Sequence, residues 1–425
     1  MKINIDRNSA EFQRLIHPLD INTFFEEYWE QRPLIIRRQQ PDYYTDLFSR
    51  ADVDSLVCLN ELKFPNIQLS KLGQSMPWRY QTTKSEDSHY DSTVINELYR
   101  RYAEGHTIAL NSLEKRWQPI LLFCQSLSMF LNAHAHINAY YTPQKSRGFD
   151  PHFDHQEVFI MQIEGSKHWR LYKPFELCPL SSQQRYKIPR DRLPELDREV
   201  TLNPGDLLYM PSGCIHEASA TENSSLHLTI GVHVYRWLNL TNKALEVISE
   251  QNVFLRKSLP IGFLKHPERI HAFKHQFREM LVMLRDNADV EAAMAKLKKR
   301  FIDEILTVPD GHFTQIDRLN SIDLDTVLTK RQICRVFTVE DLACIQFPAS
   351  TIKGPKHLES ALKFIANTEQ FTARAISNSL SDSGKIILVR RLIKEGLLAI
   401  AKSAPVSVAQ PQPTASKIAP SIPSY

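Results

Sequence analysis

The sequence predicts an α+β protein in which a small antiparallel barrel of the jelly-roll type is followed by helices. Between residues 133 and 234, short β-rich runs are separated by glycine, proline, asparagine and aspartate, which is typical of antiparallel sandwiches and barrels. After Trp237, apolar residues recur with helical spacing. The chain has 425 residues. Because one hydrophobic core rarely organises more than about 250 to 300 residues, we expect at least two folding units.

The composition is that of an ordinary globular protein. Hydrophobic residues make up 42% of the chain and charged residues 24%, with a formal net charge of +4. These values exclude a disordered acidic chain and a strongly cationic nucleic-acid coat. The six cysteines lack CxxC spacing, so we expect free thiols in a reducing cytoplasm. The N-terminus has no apolar signal segment, and no run reaches the roughly 18 apolar residues of a membrane span.

The N-terminal region is expected to be mainly helical. Asp20 is a suitable N-cap for an amphipathic helix whose bulky apolar residues include Phe24 and Tyr28 at i, i+4 spacing. Residues 33–36 (PLII) then predict a strand, and residues 94–104 a further helix. These elements indicate packing rather than chemistry.

Within the β-rich part, one tight turn is clearly marked. In Asn203-Pro204-Gly205-Asp206, proline presets φ at the second position and glycine supplies a positive φ at the third. We therefore predict a hairpin over residues 202–210, which returns the chain beside an earlier strand.

The C-terminal part predicts an antiparallel helical hairpin followed by a winged-helix module. Two apolar stripes, with a break at residues 285–287, indicate the hairpin. Helices at 358–366, 373–379 and 385–395, then a strand at LLAIA, indicate the winged helix. The Pro/Ser/Ala-rich residues 403–425 are expected to form a disordered tail. The stripes consist of Ile270, Phe273, Phe277, Leu281 and Leu284, and of Val290, Met294, Leu297, Phe301 and Ile305.

The sharpest chemical motif is His152-Phe153-Asp154. On a strand, residues i and i+2 project from the same face, so an imidazole and a carboxylate can converge on one ion. His216, which follows the predicted hairpin, is the best third ligand. Two histidines and one carboxylate form the facial triad of non-haem Fe(II) oxygenases. Without His216, an isolated HxD is more often a hydrogen-bonded pair than a metal site.

A second histidine pair competes for the metal. His134 and His136 lie on the same face of a predicted strand, and HxH can itself bind a metal. Since no carboxylate is near this pair in the sequence, we expect core or supporting roles for both.

The same residues carry a family resemblance that covers nearly the whole chain except its tail. NAYYTPQKSRGFDPHFDHQEVFIMQIEGSKHWRLY, NPGDLLYMPSGCIHEA and SLHLTIGV resemble the JmjC-type, cupin-like 2-oxoglutarate oxygenases, and especially the ribosomal oxygenase group. The resemblance implies a double-stranded β-helix barrel with a helical dimerisation region and a C-terminal winged helix. It further implies Fe(II) and 2-oxoglutarate, a protein or peptide substrate, and a homodimer.

Carried over position by position, the resemblance implies a role for each of seven residues. The iron ligands are His152, Asp154 and His216. Lys167 corresponds to the cationic partner of the distal carboxylate of 2-oxoglutarate; on its own, a lysine is usually a solvated charge. The residues implied beside the cosubstrate and substrate are Asn138, Tyr140 and Thr229.

The resemblance also suggests domain boundaries. Residues 1–240 are expected to form the catalytic domain with an N-terminal helical segment, and residues 241–345 the helical dimerisation region. Residues 346–402 are expected to form the winged helix.

Two departures leave the target residue open between histidine, arginine and others. Bacterial arginine-hydroxylating members tend to have arginine where this chain has Lys167, so the chain is more similar to the histidine-hydroxylating type. Ser146-Arg147-Gly148 stands where those relatives usually have serine-glutamine-glycine. Arg147 would contact an acidic substrate group or lie in solvent.

The predicted activity is hydroxylation of a protein or peptide side chain, with a ribosomal-protein-like substrate favoured. One alternative is a winged-helix nucleic-acid-binding regulator whose barrel senses a metal or ligand. Its basic residues include Lys385, Arg390, Arg391 and Lys394, but they interleave with apolar residues of a docking helix, so nucleic acid is not expected as the main partner. Demethylation by a JmjC-type enzyme would use the same triad.

Overall fold

The computed structural model describes residues 9–59, 65–77, 92–184, 187–265, 270–377 and 379–401. The chain forms two compact units that divide between Asp310 and Gly311. The tail predicted at 403–425 lies outside the described residues. In the part of the chain that the structure describes, no helix combines the length and apolar character needed to cross a bilayer.

The first unit begins with helices and short strands that precede the barrel. Asp20 caps α2 as predicted, since its side chain accepts a hydrogen bond from the Thr23 backbone N–H at 3.1 Å. The strand at 34–36 and the helix at 92–103 are confirmed. The elements are α1 Ser9–Ile16, α2 Ile21–Glu27, β1 Leu34–Ile36, α3 Arg50–Leu59, β2 Ile67–Lys71, β3 Gln74–Pro77, α4 Ser92–Ala103, β4 Thr107–Leu110 and α5 Gln118–Leu131.

Seven strands from residues 134 to 233 complete two antiparallel sheets, as the JmjC-like barrel predicts. The larger sheet has the order β1-β9-β6-β11-β5-β4-β2-β3 and the smaller one β10-β7-β8. Apolar residues of both sheets share one core cluster, so the sheets face each other. The strands are β5 His134–Thr142, β6 Glu157–Glu164, β7 Lys167–Tyr172, β8 Leu196–Leu202, β9 Leu207–Met210, β10 Ile215–Ala220 and β11 Ser225–His233.

The outer face of the larger sheet is covered by the N-terminal helices. Phe12 of α1 and Phe24 of α2 are fully buried and pack against Phe159 of β6. Tyr209 of β9 packs edge-on against Phe24, with ring centroids 5.0 Å apart. Apolar contacts therefore close this face of the sheet, and its opposite face is the one that meets the smaller sheet.

The predicted turn forms, but the predicted hairpin is wrong. Gly205 has a φ of +88°, and the Asp206 backbone N–H donates to the Asn203 carbonyl at 2.9 Å. A Cβ at Gly205 would lie 2.0 Å from the Gln40 carbonyl oxygen, so only glycine fits. However, β8 pairs with β7, whereas β9 pairs with β1 and β6. The turn is therefore a corner between the two sheets, because turn signals specify the bend and not the pairing partner.

Helices follow the barrel, as predicted. Residues Leu297 and Phe301 of the second apolar stripe are buried on α9, which packs on α6. By contrast, no described residue of α8 is buried, so the first stripe stays largely exposed. The predicted break is shifted, since α8 continues to Asn287 and Asp289 caps α9. The helices are α6 Trp237–Gln251, α7 Val253–Arg256, α8 Ile270–Asn287 and α9 Val290–Glu304.

The second unit combines helices with two three-stranded sheets, β16-β12-β17 and β13-β14-β15. The predicted helices at 358–366 and 385–395 and the final strand are present. The helix predicted at 373–379 forms only a 3₁₀ turn, Ala373–Ala375. The sequence did not predict the β13-β14-β15 meander, whose strand β14 crosses the proposed boundary at residue 345. The elements are α10 His312–Asp317, β12 Val327–Lys330, β13 Arg335–Val339, β14 Leu342–Phe347, β15 Ser350–Pro355, α11 Glu359–Asn367, β16 Gln370–Thr372, α12 Asp382–Lys394 and β17 Leu398–Ile400.

Candidate active site

The structure brings His152, Asp154 and His216 together. Each offers a ligand atom, and these atoms lie within 4.8 Å of one another. The backbones of the two histidines form an isolated antiparallel bridge, with His152 N–H donating to the His216 carbonyl at 3.1 Å and the reverse bond at 2.8 Å. The HxD motif thus precedes β6 instead of lying within a regular strand. The bridge aligns the motif with β10, and this alignment places His216, the predicted third ligand, beside His152 and Asp154.

Backbone carbonyls set the tautomer of both histidines. His152 Nδ1 lies 2.8 Å from the Asp150 carbonyl oxygen, and His216 Nδ1 lies 3.0 Å from the Cys214 carbonyl oxygen. Because a carbonyl only accepts, Nδ1 carries the hydrogen and donates in each case. The Nε2 lone pairs of both rings are therefore available to a metal.

The third member, Asp154, is oriented by two further hydrogen bonds. Its Oδ1 accepts from Gln184 Nε2 at 3.1 Å, and its backbone carbonyl accepts from Gly213 N–H at 2.8 Å.

Burial, and then the nearby His152, lower the pKa of His216 to about 4. His216 is thus neutral at pH 7, the state in which imidazole binds metals.

A cavity beside the triad contains most of the other predicted site residues. Lys167, Tyr140 and Thr229 line it together with the triad. Asn138 is not part of this lining; its Oδ1 accepts from the Ser112 backbone N–H at 2.9 Å. The structure therefore brings six of the seven predicted residues to one cavity.

Lys167 is buried in this cavity without an acidic partner among the described residues. The residue is 6% exposed, and its Nζ lies 3.1 Å from Thr142 Oγ1 and 3.5 Å from His227 Nδ1. Burial lowers the pKa of the ammonium group to about 7. A buried cation with neutral neighbours is a binding position for an anion.

The sequence reasoning missed His227, which forms one wall of the cavity. Its ring is stacked on Tyr140, with centroids 5.2 Å apart, and meets Trp169 edge-on. The alternation of side chains along a strand could have identified it. His227 and Thr229 are two residues apart on β11, so both side chains lie on its inward face.

Arg147 is neither solvated nor free. Its guanidinium group lies 3.5 Å from Glu217 and 3.3 Å from Asp150. The buried Glu217 carboxylate also accepts two hydrogen bonds from Arg190, at 2.8 and 2.5 Å, and one from Tyr172 at 2.7 Å. Although burial raises the pKa of Glu217, these donors keep it below its ordinary value. The network joins the segment before His152 to the strand that carries His216.

The rival pair His134 and His136 does not join the triad. These histidines lie with His155 and His233 in a separate group of imidazole rings.

Comparison with known proteins identifies the fold family. The JmjC domain profile matches residues 112–240, a range that contains the triad and the other predicted site residues. Residues 112–240 therefore form a JmjC domain. This range comprises α5, β5 to β11 and the first residues of α6.

Curated relatives extend the similarity beyond the JmjC domain. Ribosomal oxygenase 1 of Danio rerio is 31% identical over 327 residues, which cover 72% of this chain and 58% of the relative. A bifunctional lysine-specific demethylase and histidyl-hydroxylase NO66 of Aedes aegypti is 31% identical over 317 residues, or 70% of this chain and 48% of the relative. The chain spans about half the length of the curated relatives it matches.

Solved structures share the fold over a longer range. YcfD, a ribosomal oxygenase from Escherichia coli solved with cobalt and 2-oxoglutarate, matches with a TM-score of 0.52 and 17% identity. The match covers 90% of this chain and 98% of YcfD. At this identity the likeness is one of fold.

Proposed function

We propose that this JmjC-domain protein is an Fe(II)- and 2-oxoglutarate-dependent oxygenase that hydroxylates a side chain of a protein or peptide. The observation that carries the proposal is the cavity shared by the triad and Lys167, which has no acidic partner among the described residues. Two imidazole nitrogens and one carboxylate are the donor set of non-haem Fe(II) oxygenases, which leaves positions for a cosubstrate. A buried cation beside that donor set suits a cosubstrate that carries two carboxylates.

The residues fit both groups on chemical grounds. His152, Asp154 and His216 would hold the metal through Nε2, a carboxylate oxygen and Nε2, because both Nδ1 atoms are engaged by carbonyls. Lys167 would hold the distal carboxylate of 2-oxoglutarate, and Thr142, now 3.1 Å from its Nζ, would orient the ammonium group.

In the mechanism, the bound iron and cosubstrate supply the O₂ chemistry that converts 2-oxoglutarate to succinate and hydroxylates a substrate C–H bond. The protein would position the substrate and keep water away from the reacting groups. Val158, Ile160 and Trp169 form apolar cavity walls that exclude water from the oxidant. Tyr140 and Thr229 line the same space, where they would orient the target side chain or the cosubstrate.

We infer that the substrate is a ribosomal protein or a similar basic protein. The names of the relatives and the family resemblance support this class, and Lys167 favours a histidine target over arginine. Demethylation of N-methyl groups would use the same residues, so the product decides between the two reactions.

The proposal is tested by succinate formation from 2-oxoglutarate with peptides from the host's ribosomal proteins. Mass spectrometry should detect the gain of one oxygen atom, whereas demethylation would release formaldehyde. Asp154→Ala should abolish turnover and metal binding. Asp46→Ala removes a carboxylate that is 59% exposed and lies outside the cavity, and it serves as the matched control. Undiminished turnover by Asp154→Ala would refute the assignment.

We further propose that α8 mediates a homodimer. Phe277 and Leu281 on this helix are 55% and 48% exposed, and no residue of the first stripe is buried by the parts of the chain that the structure describes. A second copy of the same helix is the occupant that the family resemblance suggests. Phe277→Glu should convert the dimer to a monomer in light scattering, and an unchanged mass would exclude α8 as the interface.

The second unit is proposed to be a winged-helix module without nucleic-acid binding as its main role. Sheet β16-β12-β17 with α11 and α12 suits such a module. Three basic residues of α12 are engaged internally: Lys385 donates to the Arg374 carbonyl, Arg390 to the Asn320 and Ile322 carbonyls, and Arg391 pairs with Glu395. The test is an electrophoretic mobility-shift assay. Salt-dependent binding of nucleic acid by a protein that lacks oxygenase turnover would favour the nucleic-acid-binding regulator over the oxygenase.

The proposed setting is a reducing cytoplasm. All six cysteines are free thiols, which supports this setting. Burial raises the pKa of Cys214 to about 12, so this thiol stays protonated and unreactive. Thiol counting of the protein isolated without reductant should give six free groups.

A further inference from the structure

The two oxygens of the Asp154 carboxylate have different surroundings. Oδ1 accepts a hydrogen bond from Gln184 Nε2 at 3.1 Å, whereas Oδ2 accepts none from the residues that the structure describes. Gln184 lies in the segment between β7 and β8, and the sequence did not predict it as a site residue. An amide from a loop therefore occupies one of the two oxygens with which Asp154 could bind a metal.

The neighbours of Gln184 determine which way its amide group faces. An ionised carboxylate only accepts hydrogen bonds, so the NH₂ group of Gln184 must face Asp154. The amide oxygen then faces His155, whose Nδ1 lies 2.6 Å away. Because the amide oxygen only accepts, His155 donates from Nδ1. His155, Gln184 and Asp154 thus form a hydrogen-bond chain with one direction.

Arg236, which precedes α6, holds the backbone at both ends of this chain. One nitrogen of its guanidinium group donates to the carbonyl oxygens of Cys178 and Pro179, at 2.6 and 2.8 Å, in the segment that carries Gln184. The other terminal nitrogen donates to the His155 carbonyl oxygen at 2.8 Å. The hydrogen-bond chain is therefore held in place by the surrounding backbone before any metal binds.

The side chain of Gln184 bonds outside its own segment. The neighbouring Gln183 closes the local turn, since its Oε1 accepts from the Leu180 backbone N–H at 2.8 Å and its Nε2 donates to Glu176. In the described part of the chain, the Gln184 side chain bonds only to the HxD segment and to the residue after it. Its contacts thus serve the triad and not the folding of the loop.

We propose that Gln184 is a positioning residue that reserves one oxygen of Asp154 for the metal. This inference rests on the proposed function. An amide bonded to Oδ1 favours metal binding through Oδ2 alone, so the triad supplies three ligand atoms and leaves three positions of an octahedral ion open. If both carboxylate oxygens bound the metal, a cosubstrate that chelates through two atoms would leave no room for O₂.

The test is a cobalt titration of the metal-free full-length protein, followed by visible absorption. Gln184→Met keeps the side-chain length and removes the donor. It should raise the Kd for cobalt by roughly 10- to 100-fold and change the spectrum of the bound ion. In the iron-loaded enzyme it should lower kcat far more than it changes the KM for 2-oxoglutarate, because Lys167 is untouched. The urea midpoint of the metal-free variant should stay nearly unchanged, which a purely structural role would not allow.

Two further variants serve as matched controls. Gln183→Met removes the adjacent amide, which bonds to Glu176 and not to the triad, and it should leave cobalt affinity and spectrum unchanged. His155→Phe keeps a ring beside His233 and removes the Nδ1 donor. It should weaken cobalt binding less than Gln184→Met does. In the double variant it should add nothing further, because both residues act through one hydrogen-bond chain.

The possible failures can be told apart. The positioning role is overturned if Gln184→Met binds cobalt within threefold of wild type. It is also overturned if Gln183→Met weakens binding equally, because the effect would then belong to the loop. A wild-type protein that binds no cobalt would refute the proposed function, and the positioning role with it.

Discussion

Replacing Lys167 by methionine separates the cost of burying this lysine from its benefit to cosubstrate binding. The pKa of Lys167 falls from 10.5 to about 7. At about 1.36 kcal/mol per pKa unit, this shift corresponds to roughly 5 kcal/mol of unfavourable free energy for the buried ammonium group. Methionine has a similar length and no charge. Lys167→Met should therefore raise the free energy of unfolding of the ligand-free protein by up to about 4 kcal/mol near pH 7.5.

The same change should impair cosubstrate binding. Removing one partner of a buried ion pair costs about 2 to 5 kcal/mol, so the Kd for 2-oxoglutarate should rise by roughly 30-fold or more. Binding is measured by anaerobic calorimetry on the metal-loaded protein, and stability by urea unfolding of the ligand-free protein. Lys145→Met is the matched control, because Lys145 is 67% exposed and pairs with Glu222 at the surface.

The pH dependence supplies a second readout of Lys167. Since its folded-state pKa lies below its unfolded value, the destabilisation is complete below about pH 7 and disappears as the pH rises to 10.5. Near pH 8 the lysine is mostly neutral, so binding of a dicarboxylate should take up nearly one proton, detected in buffers of different ionisation enthalpy. A Lys167→Met variant that binds 2-oxoglutarate within threefold of wild type would refute the reasoning.

Two further predictions concern the framework of the site. Glu217→Gln leaves the donors of Arg190 and Tyr172 poorly paired and should lower the free energy of unfolding by roughly 1 to 3 kcal/mol, the smaller value applying if the half-exposed Arg190 rehydrates. Urea unfolding measures this change, and an unaltered midpoint would contradict the importance of the network. Gly205→Ala should cost at least about 1 to 3 kcal/mol in the same assay, because its φ is +88° and Gln40 blocks a Cβ. Wild-type stability of this variant would show that the corner can relax.

The sequence by itself determined the local elements and the chemical motif. Residue types at positions 152 and 154 define a ligand pair, and the turn signals before His216 predict a third ligand close by. The family resemblance, also read from the sequence, adds Thr229 to the candidate site. The structure brings residues 152, 154 and 216 together as the sequence predicts, because side-chain periodicity and turn preferences are properties of a few neighbouring residues.

Only the tertiary structure decided which distant segments meet. It made the turn at Gly205 a corner instead of a hairpin, since pairing depends on the topology of the whole barrel. It buried Lys167 without an acidic partner among the described residues, paired Arg147 with Glu217, and placed the His233 ring against the His134 ring. Burial and charge pairing depend on contacts between residues that are far apart in sequence, so they cannot be predicted from the periodicity of one segment.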